Sequence, residues 1–258
     1  MNTDRYATEF VIQENLRENQ FNRIWSHDLK DVFADVAQYY DRANNVAALW
    51  TINGLRKKFI DCIELQSGQK ALDVCAGTNV IGIDLLSKQP DLEMYAVDRS
   101  SAMQRVGGER ARKLGFNINS TIHDVHELPF PDNHFDVVTL QYASRHLRVV
   151  EVFEEIKRVL KPGGHFYHCD MLRPANKLIE QAYYLYLRAS VGFTAWLFGS
   201  NNASLSCKTY FIDALKAFYS VEELSKLLRE IGFEDVHGTG MLGGTVGFHK
   251  AMLPLDKN

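Results

Sequence analysis

The chain has 258 residues, of which 46% are hydrophobic and 24% charged, and its formal net charge is −3. This is a globular composition; it offers no basic excess for nonspecific nucleic-acid binding, and no apolar run is long enough for a transmembrane helix. Because no secretory signal core begins the chain and the four cysteines form no Cys-x-x-Cys pair, we predict a cytoplasmic protein without disulfides or a metal site.

Residues 1–67 are predicted to form a helical cap. The first 30 residues are polar with scattered large apolar side chains, a pattern typical of one or two helices lying on a larger body. Helical character then continues to a stop at Ser67-Gly68.

Residues 68–171 alternate between strand-like and helix-like segments. The predicted strands cover 71–75, 93–97, 120–123, 135–141 and 165–171. Ser100 is a candidate N-cap for the helix after the second strand, and Gly115 a candidate C′ residue. This alternation favours a parallel sheet with helices on both faces.

Residues 172–219 interrupt the alternation. Between 182 and 198 stand six aromatic residues and a single charge: Tyr183, Tyr184, Tyr186, Phe193, Trp196, Phe198 and Arg188. The segment is interpreted as a helical pair packed on the sheet edge, and the functional alternative is a lid over an apolar substrate or a surface that contacts lipid. The two interpretations are compatible.

Residues 220–258 are predicted to complete the core. Ser220 and Glu223 form a capping box for a helix that stops at Gly232. Two strand-like segments, 235–242 and 245–252, flank Gly243-Gly244 and indicate a hairpin. The fold class is therefore α/β, with a mostly parallel seven-stranded sheet and a C-terminal antiparallel hairpin.

Three acidic residues stand at the ends of three successive predicted strands. Asp73 opens the small-residue turn 73–79, and Asp98 and Asp124 follow the second and third strands. Ligands of open α/β sheets bind at the carboxyl ends of the strands. A carboxylate there can accept hydrogen bonds from ribose hydroxyls or an adenine amino group, so the set indicates a nucleotide-like ligand.

Over residues 32–253 the sequence resembles the class I S-adenosylmethionine-dependent methyltransferases, and more narrowly the quinone C-methyltransferases of ubiquinone and menaquinone biosynthesis. The matching motifs are Phe33-x-x-Val36-Ala37-x-x-Tyr40-Asp41-x-x-Asn44, 72–78 (Leu-Asp-Val-Cys-Ala-Gly-Thr), 98–103, Asp124, 128–132 (Leu-Pro-Phe-Pro-Asp), 135–136, Arg145, 158–164, 232–234 and 243–249.

The resemblance implies a Rossmann-like fold that uses S-adenosylmethionine and releases S-adenosylhomocysteine. It implies that Asp98 holds the ribose, Asp124 the adenine amino group and Gly77 the methionine part, while Tyr40 closes over the cofactor and Met103 packs on the adenine. The remaining predicted cofactor-binding residues are Asp73, Cys75, Asn79, Arg99, Val125 and Gln141.

The cofactor turn departs from the family pattern. Cys75 and Asn79 replace its first and third glycines, and Val80 stands where the family has an acidic residue. Asparagine tolerates left-handed backbone angles better than most residues, so we expect the turn to form. The loss of the carboxylate at 80 removes a partner for a cofactor ammonium.

After the fourth strand the quinone branch usually carries Arg-Asn, and this chain carries Arg145-His146. Carbon methylation of an aromatic ring needs a phenol made electron-rich by loss of its proton. Histidine is a suitable base near neutral pH, so His146 is predicted as the base and Arg145 as the group that stabilises the phenolate. A solvated histidine and an ordinary ion pair are the structural alternatives.

The leading hypothesis is a methyltransferase that acts on carbon, with oxygen as the less favoured atom, of an apolar, quinol-like aromatic acceptor. Two alternatives stay open: an enzyme of the same fold that catalyses a rearrangement or cyclisation, and a non-catalytic subunit of a biosynthetic complex. Expected partners are the small aromatic substrate, a membrane surface through peripheral contact, and a second copy in a homodimer; no nucleic acid is expected.

Overall fold

A computed structural model describes residues 8–48, 51–197 and 208–255. Seven strands form one sheet in the order β3-β2-β1-β4-β5-β7-β6. Their bounds are β1 Lys70–Val74, β2 Glu93–Asp98, β3 Asn119–Ile122, β4 Phe135–Gln141, β5 Leu160–Met171, β6 Glu234–Met241 and β7 Val246–Met252. Strands β1–β5 are mutually parallel, and β7 runs antiparallel to both β5 and β6. The predicted mixed sheet and its terminal hairpin are confirmed.

The order of strands changes direction at β1, which pairs with β2 on one side and β4 on the other. In register, Asp73 lies beside Thr139 of β4 and Ala96 of β2. Parallel strands end at the same edge, and a crevice opens where the connections diverge. This edge brings the turn after β1 close to the ends of β2 and β4.

Helices accompany the strands along the chain. Before the sheet lie α1 Thr8–Arg23, a π-helical segment Ile24–Asp28, α2 Leu29–Val36, α3 Tyr40–Ala47 and α4 Thr51–Cys62; later come α5 Val80–Lys88, α6 Ser101–Lys113, a 3₁₀ turn Ser144–His146, α7 Val149–Val159, α8 Lys177–Leu197, α9 Lys208–Lys216 and α10 Val221–Ile231. Within the described ranges, no helix has both the length and the hydropathy needed to cross a membrane.

The predicted helix ends follow local chemistry. Ser100 caps α6 by accepting a hydrogen bond from the Met103 amide, and Ser220 forms the predicted capping box with Glu223. Gly115 and Gly232 have φ values of +77° and +106°, which a side chain would disfavour. These predictions are confirmed.

Two boundaries differ from the prediction by five residues, while other strand ends shift by one. Helix α4 ends at Cys62, not at residue 67, because the Lys88 ammonium binds the carbonyl oxygens of Ile60, Asp61 and Ile63 and satisfies its last turn. Strand β5 begins at Leu160, five residues early, because Leu160 already pairs with Phe135 of β4.

The aromatic segment lies in a helical pair. Most of it belongs to α8, which packs against α3 and α9, and Tyr184 of α8 is buried with Ile212 and Leu215 of α9. Phe198 and Cys207 lie outside the described residues.

Candidate active site

The turn after β1 uses the left-handed backbone region at both altered positions. Cys75 and Asn79 have φ values of +56°, and Gly77 between them has +51°. Non-glycine residues rarely adopt these angles, although asparagine does so more readily than most. Asn79 is fully buried, and its amide begins the helical turn by donating to the Ala76 carbonyl at 2.8 Å. The expectation that this turn still forms is confirmed.

Helix α6 packs directly on this turn. The Gln104 amide donates hydrogen bonds to the Gly77 carbonyl at 2.9 Å and to Asn79 Oδ1 at 3.0 Å. A Cβ added at Gly107 would lie 2.6 Å from the Thr78 carbonyl carbon, so only glycine permits this approach. The Asn79 side chain therefore serves to hold the turn against α6.

Asp98 joins the end of β2 to the same turn. Its carboxylate oxygens accept hydrogen bonds from the Gly77 amide at 2.8 Å and the Ser100 amide at 2.7 Å. Burial raises the pKa of Asp98. Each carboxylate oxygen keeps a further lone pair, so the residue retains the capacity to accept hydrogen bonds from a ribose.

A polar cavity lies above the ends of β1 and β4. Asp73, Cys75, Gly77 and Gln141 contribute to its lining. Burial raises the pKa of Asp73 to about 7, against the lowering effect of the hydrogen bond from Thr139. A cation bound beside Asp73 would favour its ionised form.

Two polar side chains of this cavity fit a cofactor that carries an amino-acid group. The Nε2 atom of Gln141 is a buried donor with no oxygen or nitrogen acceptor among the described residues, although the side chain lies close enough to the Cys169 thiol to influence its pKa. Asp73 offers a carboxyl group nearby in the same lining. Buried polar atoms of native proteins are normally satisfied. The pair therefore suits the carboxylate and the ammonium of a methionine moiety.

The other predicted cofactor residues lie at the ends of β2 and β3, beyond the lining of this cavity. Met103 and Val125 are buried, and Arg99 is half-buried. Asp124 is exposed; hydrogen bonds from the His126 ring and amide hold the pKa of its carboxyl well below the usual range. Their roles toward a cofactor stay predictions, and Asp124 is paired with His126.

Helix α3 is fastened over the cavity. Asp41 accepts hydrogen bonds from the Thr78 hydroxyl at 3.0 Å and from Arg110 of α6. The adjacent Tyr40 lines the cavity, and its closing role over a cofactor stays a prediction. Asp41 thus ties the covering helix to the cofactor turn.

A second cavity, of about 310 Å³, adjoins the first. Helices α2, α3, α4, α8 and α9 supply a mostly apolar lining that includes Phe33, Tyr183, Leu187, Phe211 and Ile212. Tyr40, Asn44, Ile52 and Tyr142 line both cavities. A polar ligand site and an apolar one therefore share a common wall.

The predicted catalytic pair reaches the apolar cavity from the 3₁₀ turn after β4. Arg145 lines it while forming an ion pair with the fully buried Asp170. Asp170 also accepts hydrogen bonds from the Ser144 hydroxyl at 2.6 Å and the Met171 amide at 2.7 Å. The guanidinium is therefore held at a fixed position on the cavity wall.

His146 lines the same cavity and is 6% exposed. Its Nδ1 atom lies 2.5 Å from the Tyr210 hydroxyl, which accepts a hydrogen bond from the Trp25 indole at 2.9 Å. Its Nε2 atom is buried without a hydrogen-bond partner in the described part of the chain. Burial, reinforced by the charges of Arg145, Arg17 and Arg99, lowers the pKa of His146 well below its ordinary value.

Two further buried histidines lie behind this site. His168 contacts the Ser144 hydroxyl at 2.8 Å and the His249 ring at 3.2 Å. Burial lowers the pKa of His249 to about 4 and that of His168 well below its ordinary value. No cluster of three metal-ligating side chains occurs among the residues described.

The lowered pKa values of His168 and His249 predict that the folded protein loses stability in acid. The unfolded chain takes up their protons near pH 6.5, and the folded chain only at lower pH, so the free energy of unfolding should fall as pH drops from about 6.5 toward 4. Each histidine contributes at most about 1.4 kcal/mol per pH unit. Urea denaturation at pH 7.5, 6 and 5 measures the free energy of unfolding. It should change less with pH in His249→Gln than in the parent. An equal change in the two proteins would contradict the lowered pKa of His249.

Several site residues escaped sequence reasoning. Tyr142 follows Gln141 with a left-handed φ of +55° and lines both cavities, and its position directly after a strand end was the available signal. Tyr210 and Phe211 come from α9 and meet His146 through rings 5.5 and 5.6 Å apart. Nothing local in the sequence connects residues so distant along the chain.

Comparison with known proteins agrees with this geometry. The solved SAM-dependent methyltransferase from Aquifex aeolicus superposes with a TM-score of 0.53 at 21% identity, over 78% of this chain and 88% of that one, which shows the fold. The demethylmenaquinone methyltransferase of Anoxybacillus flavithermus is 31% identical over 86% of this chain and 94% of its own length.

The ubiquinone/menaquinone biosynthesis C-methyltransferase UbiE of Pseudomonas entomophila is also 31% identical, over 87% of this chain and 88% of its own length. The sequence model of the ubiE/COQ5 methyltransferase family matches residues 21–253. That match includes the cofactor turn, the Arg145-His146 turn and the C-terminal hairpin. The chain therefore belongs to the ubiE/COQ5 methyltransferase family.

Proposed function

We propose that this protein methylates a ring carbon of an apolar, quinol-like aromatic acceptor and releases S-adenosylhomocysteine. The observation that carries the proposal is the common wall of Tyr40, Asn44, Ile52 and Tyr142 between the polar and the apolar cavity. A transfer between two bound molecules requires their reacting atoms to meet in near-attack geometry. Two adjoining cavities, one lined in part by polar groups such as Asp73 and Gln141 and the other mostly apolar, provide this for a polar donor and an apolar acceptor.

The polar cavity and the strand ends beside it would hold S-adenosylmethionine. Asp98 would accept hydrogen bonds from the ribose, Gln141 would donate to the carboxylate, and Asp73 would face the ammonium in place of the acidic residue missing at 80. When bound, the cofactor supplies an electrophilic methyl group. The chain's own task is to fix its position and exclude water, and α3 provides that cover.

His146 would take the phenol proton of the acceptor. Its burial-lowered pKa keeps the ring neutral near pH 7, the state in which an imidazole can accept a proton. For Nε2 to be the accepting atom, Nδ1 must carry the hydrogen and donate it to the Tyr210 hydroxyl oxygen, which has two lone pairs for Trp25 and His146.

Arg145 would stabilise the resulting phenolate. The guanidinium lines the cavity beside His146, and a cation next to a phenol favours loss of the phenol proton. Its ion pair with Asp170 fixes its direction and leaves other guanidinium donors for the acceptor oxygen. The phenolate makes the ring carbon nucleophilic, which is the condition for attack on an electrophilic methyl group. The hydrogen of that ring carbon then leaves as a proton to the solvent, which restores the aromatic ring, and the phenolate oxygen regains its proton from His146.

The direct test is incubation of the purified protein with S-adenosylmethionine and a chemically reduced, demethylated quinol, followed by mass spectrometry and NMR of the product. We expect one new methyl group bound to a ring carbon. A methyl ether would contradict carbon methylation. Turnover of a polar catechol in preference to the apolar quinol would contradict the assignment of the apolar cavity.

We further propose that α8 brings the acceptor cavity to a lipid surface. Its exposed side carries Leu178, Ala182, Leu185, Ala189 and Phe193, at helical spacings of four, three, four and four residues. Leu178 and Leu185 are 77% and 69% exposed. Because neighbouring residues of this helix line the apolar cavity, a lipid-borne acceptor would have a short path to it.

Replacement of Leu185 with glutamate should weaken binding to phosphatidylethanolamine–phosphatidylglycerol vesicles by about tenfold or more, because a buried leucine contributes about 1.5–3 kcal/mol. Flotation assays measure the bound fraction. The control is Leu114→Glu at the end of α6, where Leu114 is similarly exposed at 56% but does not line the apolar cavity. Equal vesicle binding of the two variants would contradict the assignment of this face.

A further inference from the structure

The N-terminal helix α1 makes an unusual set of buried polar contacts with the catalytic turn. Glu14 and Arg17 form an ion pair in which the side chains are only 6% and 1% exposed. Both residues precede residue 21, where the match to the family begins. A buried ion pair is costly unless its remaining donors and acceptors are satisfied. The other hydrogen-bond partners of Glu14 and Arg17 therefore show which part of the protein the pair stabilises.

Arg17 binds the backbone on both sides of His146. Its Nη2 atom donates to the Arg145 carbonyl oxygen at 3.2 Å and the Leu147 carbonyl oxygen at 3.1 Å. The guanidinium also lies 4.8 Å from the centroid of the Phe218 ring. One side chain therefore fixes the carbonyl groups of the residues before and after His146.

Glu14 fixes the segment that follows. Its Oε2 atom accepts a hydrogen bond from the Val149 amide at 2.9 Å, at the start of α7, and its Oε1 atom accepts one from the Tyr219 hydroxyl at 2.9 Å. A carboxylate at a helix N-terminus is favoured by the free amide groups there. The turn that carries His146 is thus held from Arg145 to Val149.

The helical segment after α1 holds the imidazole ring itself. The Trp25 indole donates to the Tyr210 hydroxyl, which contacts His146 Nδ1. The charged and titratable groups around His146 are Arg145 on its own turn, Arg17 on α1, Arg99 after β2, and the Tyr210 hydroxyl on α9.

We infer that Glu14 and Arg17 are positioning residues, which hold His146 in the orientation needed to accept the proton of the acceptor. The inference rests on the proposed role of His146. Since errors of about 1 Å in a reacting group can cost about 100-fold in rate, contacts that fix the residues on both sides of His146 and its ring bear directly on turnover.

The test is the double variant Glu14→Gln/Arg17→Met, which removes both charges together and leaves no buried ion unpaired. We expect kcat/KM for the quinol to fall about 10- to 100-fold, with the affinity for S-adenosylmethionine unchanged. The control is Glu9→Gln, which breaks an exposed ion pair between α1 and Lys226 and should leave both quantities as in the parent.

A second measurement does not depend on turnover. In protein labelled with ¹⁵N-histidine, with the His146 signals assigned through His146→Gln, the double variant should shift those signals and raise the His146 pKa, because a nearby cation has been removed. If the double variant does not fold, Arg17→Lys keeps the charge beside Glu14 but lacks the planar guanidinium fork that reaches both carbonyl oxygens, and it should also shift the His146 signals.

The outcomes are distinct. Unchanged His146 signals and an unchanged kcat/KM in the folded variants would overturn the positioning role. Shifted His146 signals in a protein whose parent methylates no quinol would support the positioning role and contradict the proposed function instead. Shifted signals together with reduced kcat/KM would support both.

Discussion

Replacing Asp98 with asparagine is expected to weaken S-adenosylmethionine binding by about 100-fold or more. The Asp98 carboxylate is the acidic group at the end of β2, and hydrogen bonds to a charged group contribute about 1.5–3 kcal/mol each. Loss of two such hydrogen bonds from the ribose corresponds to about 100-fold or more in affinity. The same substitution weakens the acceptor for the Gly77 amide and loosens the cofactor turn. Isothermal titration calorimetry measures the affinity.

The matched control is Asp91→Asn. Asp91 lies just before the opposite end of β2, where its exposed carboxylate contacts the Ser67 hydroxyl. Asp91→Asn makes the same change in net charge as Asp98→Asn. Comparing the two therefore separates an effect on cofactor affinity that is local to Asp98 from a general electrostatic effect. Equal affinities of Asp98→Asn and the parent would show that the ribose assignment is wrong.

Replacing His146 with glutamine is expected to reduce kcat by about 100- to 10,000-fold, the usual contribution of a general base. Glutamine keeps a polar side chain of similar length but cannot take a proton near neutral pH. Cofactor affinity should stay at the parent value because His146 lines the apolar cavity and not the polar one. Single-turnover kinetics with the reduced quinol measure the effect.

The pH profile supplies an independent check. A base whose pKa is lowered remains neutral, and therefore competent, as pH falls through 6.5. The parent should keep its rate at pH 6.5 and lose it only at clearly lower pH. In His146→Gln, the fall in rate that protonation of His146 causes should be absent. The control is His237→Gln, which changes a histidine that is 71% exposed and paired with Asp235. A wild-type rate in His146→Gln at all pH values would exclude His146 as the base.

The two experiments also discriminate among the alternatives that the sequence left open. Methyl transfer requires both cofactor binding and acceptor turnover. A rearrangement or cyclisation in the same fold would keep the effect of Asp98→Asn on binding but give no methylated product. A non-catalytic subunit would show no turnover for His146→Gln to reduce. Membership of the ubiE/COQ5 methyltransferase family favours the first.

Local interactions made much of the fold predictable. The alternation of strands and helices follows from hydrophobic periodicity, and the caps at Ser100 and Ser220 follow from hydrogen bonds within a few residues. The left-handed angle of Asn79 was likewise predictable from its residue type. The position of Asp73, Asp98 and Asp124 along one edge of the sheet was also predictable, because the carboxyl ends of parallel strands lie at the same edge.

The environment of the catalytic pair was decided by packing between distant parts of the chain. Arg145 and His146 were identified as candidates from their sequence position, but Tyr210 reaches His146 across 64 residues and Arg17 reaches the Arg145 carbonyl across 128. The apolar cavity likewise takes its lining from five helices.

Sequence alone thus determined the sheet, its helix caps and the set of acidic residues at its edge, because each depends on neighbours along the chain or on strand direction. Tertiary structure decided which side chains surround His146, whether Asp73 faces a cavity, and how the polar and apolar cavities meet. Such contacts depend on how helices cross and how their side chains interdigitate, and a buried charge such as Arg17 can be explained only by the partners that packing brings to it.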